Sequence, residues 1–215
     1  MNPVAPPLDA ARIRQIIDLL RDAGWADEDI RWSESVKGPA NPEAFASETI
    51  FVICNSGMRF TVARKIYDRI MPALLEGRSA HAEFRHKGKA SAIDLIWKDR
   101  QALFYGYLAA EDKLAFCRAL PWIGTTTQYH LAKNFGVDVA KPDVHLQRLG
   151  DLYGKSPHDL CRELAHAVGL RVATIDLILW RACATGLLDP RTGELGTAAR
   201  VLPESEQQQK QMEGV

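Results

Sequence analysis

A chain of 215 residues is long enough for one sizeable domain or two small ones. With 47% apolar and 25% charged residues it can bury an ordinary core, which excludes a disordered chain. Lys plus Arg and Asp plus Glu balance at 27 each, so overall charge counts against a nucleic-acid partner, although a basic face could exist if the charges are segregated.

Cys54, Cys117, Cys161 and Cys183 lie far apart with no Cys-x-x-Cys spacing, which argues against a zinc site or an iron–sulfur cluster. Free thiols in a reducing compartment are expected. Met1 to Leu8 holds three prolines and no apolar run, so no signal peptide is expected. No segment reaches the roughly 20 apolar residues of a membrane span. The expectation is an intracellular, cytoplasmic protein with no membrane partner.

Helical periodicity runs through most of the chain. Asp9 caps a first helix whose apolar face is Ile13, Ile16, Ile17 and Leu20, ending at Gly24. Trp25 to Pro42 reads as irregular, punctuated by Gly38, Pro39 and Pro42. Pro42 and Glu43 open a helix carrying Phe45, Ile50, Val52 and Ile53, which runs into Cys54-Asn55-Ser56-Gly57-Met58. Thr61 to Leu75 repeats apolar residues at Val62, Ile66, Ile70 and Leu74. Ser79 to Ala90 is a basic connector with His81, Arg85, His86, Lys87 and Lys89, either solvated or in contact with phosphate. Ser91 to Tyr107 predicts one helix, and Glu111 to Leu120 a short one. Thr125 to Phe135, Asp143 to Tyr153, Ser156 to Val168 and Val172 to Gly186 complete the set. Pro203 to Val215 is a Glu/Gln-rich tail expected to fray. With no strand pairs and no internal repeat, the pattern predicts an all-α protein of about nine or ten helices.

Two segments carry chemistry. Leu120-Pro121-Trp122-Ile123-Gly124 forms a tight apolar turn, and Thr125, Thr126 and Thr127 open the next helix. A helix N-terminus presents spare N–H groups and partial positive charge, a ready phosphate site. Gly124 lets backbone approach a ligand closely and supplies dihedrals that other residues resist. The alternative is an ordinary turn between helices packed on the core. Lys141-Pro142-Asp143-Val144-His145 then places a carboxylate at a helix start, where Asp is a natural N-cap and its ionised form is favoured.

The turn followed by this Asp resembles the helix-hairpin-helix DNA glycosylase superfamily over roughly Glu43 to Gly186. The family's usual Leu-Pro-Gly-(Val/Ile)-Gly is matched at Leu120, Pro121, Ile123 and Gly124. Trp122 replaces the first glycine, altering the turn or adding an apolar surface beside DNA. The resemblance implies a helix-hairpin-helix fold with two helical subdomains flanking a DNA-binding cleft. Residues 42–138 would carry the hairpin, and 1–41 plus 139–215 the catalytic Asp. It implies a partner in double-stranded DNA bearing a damaged or modified base, a monomeric protein, and Asp143 as the catalytic residue.

Asp143 would stabilise positive charge on the sugar, or orient a water, once the base has been flipped from the stack. His145 matches a His of the family's Asp-x-His segment, supporting backbone or approaching a phosphate; a satisfied structural role is as open. No cofactor is implied beyond a monovalent cation on the main-chain carbonyls of Arg118, Leu120 and Ile123. Thr126 stands where bifunctional members carry a lysine nucleophile, which implies a monofunctional enzyme; Lys133 or Lys141 acting instead is the alternative. Asn55 and Met58 fall where relatives place the residue that fills the gap left by the flipped base, or else mark a helix C-terminus. Trp32, Trp97, Tyr105, Tyr107 and Trp180 are pocket candidates that fit a core equally well. A noncatalytic DNA-binding module is the alternative to an enzyme.

Overall fold

The structure, a computed structural model, describes residues 5–196; the expectation for 203–215 lies outside them. The chain is all-α. The described residues form eleven α-helices: α1 (Ala10–Asp22), α2 (Ala26–Ser35), α3 (Pro42–Asn55), α4 (Phe60–Leu75), α5 (Lys87–Lys98), α6 (Arg100–Ala109), α7 (Lys113–Ala119), α8 (Thr127–Asn134), α9 (Val144–Tyr153), α10 (Pro157–Val168) and α11 (Val172–Ala184). They contain no strand, only one antiparallel bridge between Leu188 and Leu195. None of these helices is long and apolar enough to cross a membrane. The chain divides into two compact units. One takes its described residues from Met1–Val36 and Asp138–Val215, the other from Lys37–Val137.

In the first unit, Ile13, Ile16 and Leu20 of α1 meet Leu146 and Leu149 of α9, Leu160 and Leu164 of α10, and Ile175, Ile178 and Leu179 of α11. Asp9 accepts from the Arg12 N–H and starts α1 as expected. The segment Trp25 to Pro42, expected to be irregular, contains α2. Its inward positions include Asp29 and Ser33, both buried, so it shows no apolar stripe to reveal a helix. Their partners come from α11. Asp29 pairs with the fully buried Arg181 at 3.1 Å, and Thr174 donates to Ser33 at 2.9 Å. The Arg181 guanidinium also lies 4.5 Å from the Trp25 ring and 5.1 Å from that of Trp180.

In the second unit α3 is central, packed against α4, α5, α6 and α8. Phe45, Ile50, Val52 and Ile53 on it are fully buried, which explains a run apolar on nearly every face. Phe45 stacks on Phe135 at 5.1 Å and meets Tyr107 at 5.8 Å, so Tyr107 is a core residue. The helix expected over Ser91 to Tyr107 is two, α5 and α6, separated at Asp99. No Gly or Pro marks the break; Arg100 closes it by donating to the Trp97 carbonyl at 2.6 Å and stacking on the Trp97 ring at 4.5 Å. The basic connector is also more ordered than expected. It holds a 3-10 turn at Ala80–Ala82, and α5 begins within it. Asp94 fixes that turn, accepting from Ser79 Oγ and the Ala80 N–H.

Candidate functional site

The hairpin joins α7 to α8. Leu120 and Ile123 are 5% exposed and anchor the turn in the second unit's interior, so of these two only main-chain atoms remain to meet a ligand. Trp122 is 45% exposed and has φ +65°, the one described non-glycine residue with positive φ. The residue replacing the family's first glycine therefore keeps a glycine-like backbone conformation. Its ring compensates by covering Gly88, where an added Cβ would lie 2.6 Å from the ring, and by meeting His86 edge-on at 5.0 Å. Gly124, expected to need unusual dihedrals, lies outside the left-handed region; the strain sits two residues earlier.

Gly124 donates to Thr127 Oγ1 at 2.6 Å. Thr126 stands at the N-cap position of α8 and makes no side-chain cap bond. The N–H groups of Thr125, Thr126 and Thr127 make no hydrogen bond among the described residues, and Thr125 and Thr126 are exposed. Three consecutive amides at a helix N-terminus can receive an oxyanion. The carbonyls of the turn are engaged: Leu120 accepts from the Ile123 N–H at 3.1 Å, and Ile123 from the Arg118 guanidinium at 3.1 Å.

Asp143 belongs to the first unit and is the N-cap of α9. Its Oδ1 accepts from the His145 N–H at 2.9 Å and the Leu146 N–H at 3.0 Å. Its Oδ2 makes no hydrogen bond among the described residues. One carboxylate oxygen is thus fixed at the start of α9 by two backbone amides while the other is uncommitted. The segment leading to it is moored to α11. Asp138 accepts from the Ala173 N–H, and the buried Asp176 accepts from the Lys141 N–H, both at 2.9 Å. Neither carboxylate was anticipated; a lone Asp inside the apolar run Val172–Ala184 was the available signal for Asp176. His145 supports Asp143 through its backbone, while its ring Nδ1 is buried with no hydrogen-bond partner among the described residues. Burial pushes the nearby Cys183 thiol up to about 12, and the Asp143 and Asp189 carboxylates add to that shift, so the thiol stays neutral.

Asn55 is the last residue of α3, with Ser56 as C-cap and Gly57 at φ +68°, so the segment is a helix C-terminus. Met58 follows, half-buried. Lys89 turns inward instead of facing solvent: it is 4% exposed, and its Nζ donates to the carbonyls of Cys54 at 3.2 Å and Ser56 at 2.5 Å. Burial lowers its pKa. Trp97 and Trp180 are partly buried against arginines and Trp32 is partly buried, while Tyr105 is exposed. Lys133 lies in the last turn of α8, and the Lys141 backbone is held by Asp176.

No family model and no curated protein matches the chain. Among solved structures it is similar to the crystal structure of an 8-oxoguanine DNA glycosylase from Methanocaldococcus jannaschii. The two share 21% identity over 82% of this chain and 94% of that one, with a TM-score of 0.58. At that identity the likeness shows a common all-helical fold.

Proposed function

We propose that this chain is a monofunctional DNA glycosylase that flips a damaged or modified base out of duplex DNA and hydrolyses its N-glycosidic bond with Asp143. The observation that carries the reading is the Asp143 carboxylate, with Oδ1 locked by two amides and Oδ2 uncommitted. The likeness to an 8-oxoguanine DNA glycosylase supports it and makes 8-oxoguanine the first base to try.

In this reading the amides of Thr125, Thr126 and Thr127 grip a DNA phosphate, with Trp122 beside them. Leu120, Pro121, Ile123 and Gly124 shape the turn, and Asn55 and Met58 fill the space vacated by the flipped base. As the C1′–N bond breaks, the base departs with the electron pair and takes up a proton. Positive charge grows on C1′ and the ring oxygen, where the Asp143 carboxylate stabilises it. Water bonds to C1′ and loses a proton, leaving free base and an abasic site.

Thr126 cannot form a Schiff base, so no strand cut accompanies base loss. The test incubates the protein with duplexes carrying 8-oxoguanine, alkylated, deaminated or modified bases, then follows base release by mass spectrometry and strand breaks before and after alkali. Base release with breaks only after alkali supports the reading. A borohydride-trapped covalent complex would transfer the chemistry to Lys133 or Lys141. Salt-sensitive DNA binding with no release from any substrate would leave a binding module.

A further inference from the structure

We infer that the Arg118 guanidinium is the built-in cation of the hairpin, standing where the resemblance implies a bound monovalent metal ion. The carbonyls expected to hold such an ion are those of Arg118, Leu120 and Ile123, and this set does not fit one. The Ile123 carbonyl already receives Arg118 Nη1 at 3.1 Å, and the Leu120 carbonyl receives the Ile123 N–H at 3.1 Å. A metal on the Ile123 oxygen would face a permanent like charge on the same atom, and the guanidinium does not lose its proton to relieve that repulsion.

The arrangement also explains itself locally. Arg118 lies in the last turn of α7, where a cation is favoured by the helix C-terminus. Gly124 leaves room beside it: a Cβ there would lie 3.9 Å from Nη1. By holding the Ile123 carbonyl, the side chain fixes the peptide between Ile123 and Gly124, whose N–H is bonded to Thr127 Oγ1. That orients the start of α8, and with it the amides of Thr125, Thr126 and Thr127. The remaining edge of the exposed guanidinium adds positive charge at the same turn.

The purpose of this device rests on the glycosylase reading, but its existence is testable without DNA. Backbone hydrogen exchange of Ile123, Gly124 and Gln128 would be followed in potassium, sodium and choline chloride at one ionic strength. In the wild type the rates are expected to agree within about two-fold across the salts, while Arg118→Ala exchanges roughly ten-fold faster in all of them, the loss of a charge-assisted hydrogen bond. Arg118→Lys, which keeps the charge, is expected to remain indifferent to the choice of cation. If Arg118→Ala does not fold, Arg118→Gln takes its place. Exchange that accelerates in choline for the wild type, or that is unchanged in the variant, would overturn the inference. Affinity for a duplex with an abasic-site analogue in the same salts gives a second readout. It is expected to be independent of cation identity in the wild type and weakened several-fold by Arg118→Ala. Absence of any DNA binding would strike the glycosylase reading and leave the exchange result to judge Arg118.

Discussion

Trp122 holds a backbone conformation that costs an L-residue about 1 kcal/mol, and it does so at φ +65° while its ring shields Gly88. Two effects therefore separate by substitution. Trp122→Ala loses the ring and keeps the strain; Trp122→Gly loses the ring and sheds it. Trp122→Gly is expected to be the more stable of the two by about 1 kcal/mol in urea unfolding, and equal midpoints would show that the strain is not felt. Gly124 gives the opposite contrast. Its φ is ordinary and an added Cβ would meet nothing closer than Thr127 Oγ1 at 3.5 Å. Gly124→Ala is thus expected to change stability by less than about 0.5 kcal/mol, measured the same way. The motif told which residue types recur in such a turn, but not which of them carries the left-handed φ.

At the scale of elements, two buried charges tie helices to the segments that matter. Asp176 on α11 holds the Lys141 N–H two residues before Asp143. Asp176→Ala is expected to cost about 1–3 kcal/mol of stability and to lower single-turnover base release more than substrate binding, because the loop loses its mooring. Equal loss in both would make Asp176 merely structural. Lys89 secures the end of α3. Its pKa is lowered by burial below the ordinary 10.5, so the folded state binds fewer protons than the unfolded one just below that pH. Stability relative to Lys89→Met should accordingly rise with pH across that window, and a flat difference between unfolding at pH 8 and at pH 10 would contradict it.

These same charges mark the limit of what the sequence discloses. Helices with an apolar stripe, such as α1 and α4, were legible from spacing alone. The helix α2 was not, because its buried face holds Asp29 and Ser33, paired with Arg181 and Thr174 from a helix about 140 residues away in the chain. The break between α5 and α6 was invisible because Arg100, not Gly or Pro, makes it. The positions of Asp143 and the hairpin were legible because both sit at helix starts, where local chemistry decides. Lys89 and Arg118 were misread or overlooked because the direction of a long side chain is set by tertiary partners.

For the whole molecule, equal numbers of acidic and basic residues supply no net attraction to a polyanion, and the proposed function rests DNA binding on local features, three helix-start amides and a guanidinium. The logarithm of the DNA affinity is expected to fall with log salt at a shallow slope of about −2 to −4. A slope near −8 would instead require a segregated basic face that makes many phosphate contacts. The decisive measurement is single-turnover base release by wild type and Asp143→Asn on the best substrate, with DNA affinity measured in parallel. Asparagine can still cap α9 through its side-chain oxygen, so folding and binding should be retained while release falls at least ~100-fold. Undiminished release by Asp143→Asn would contradict the account.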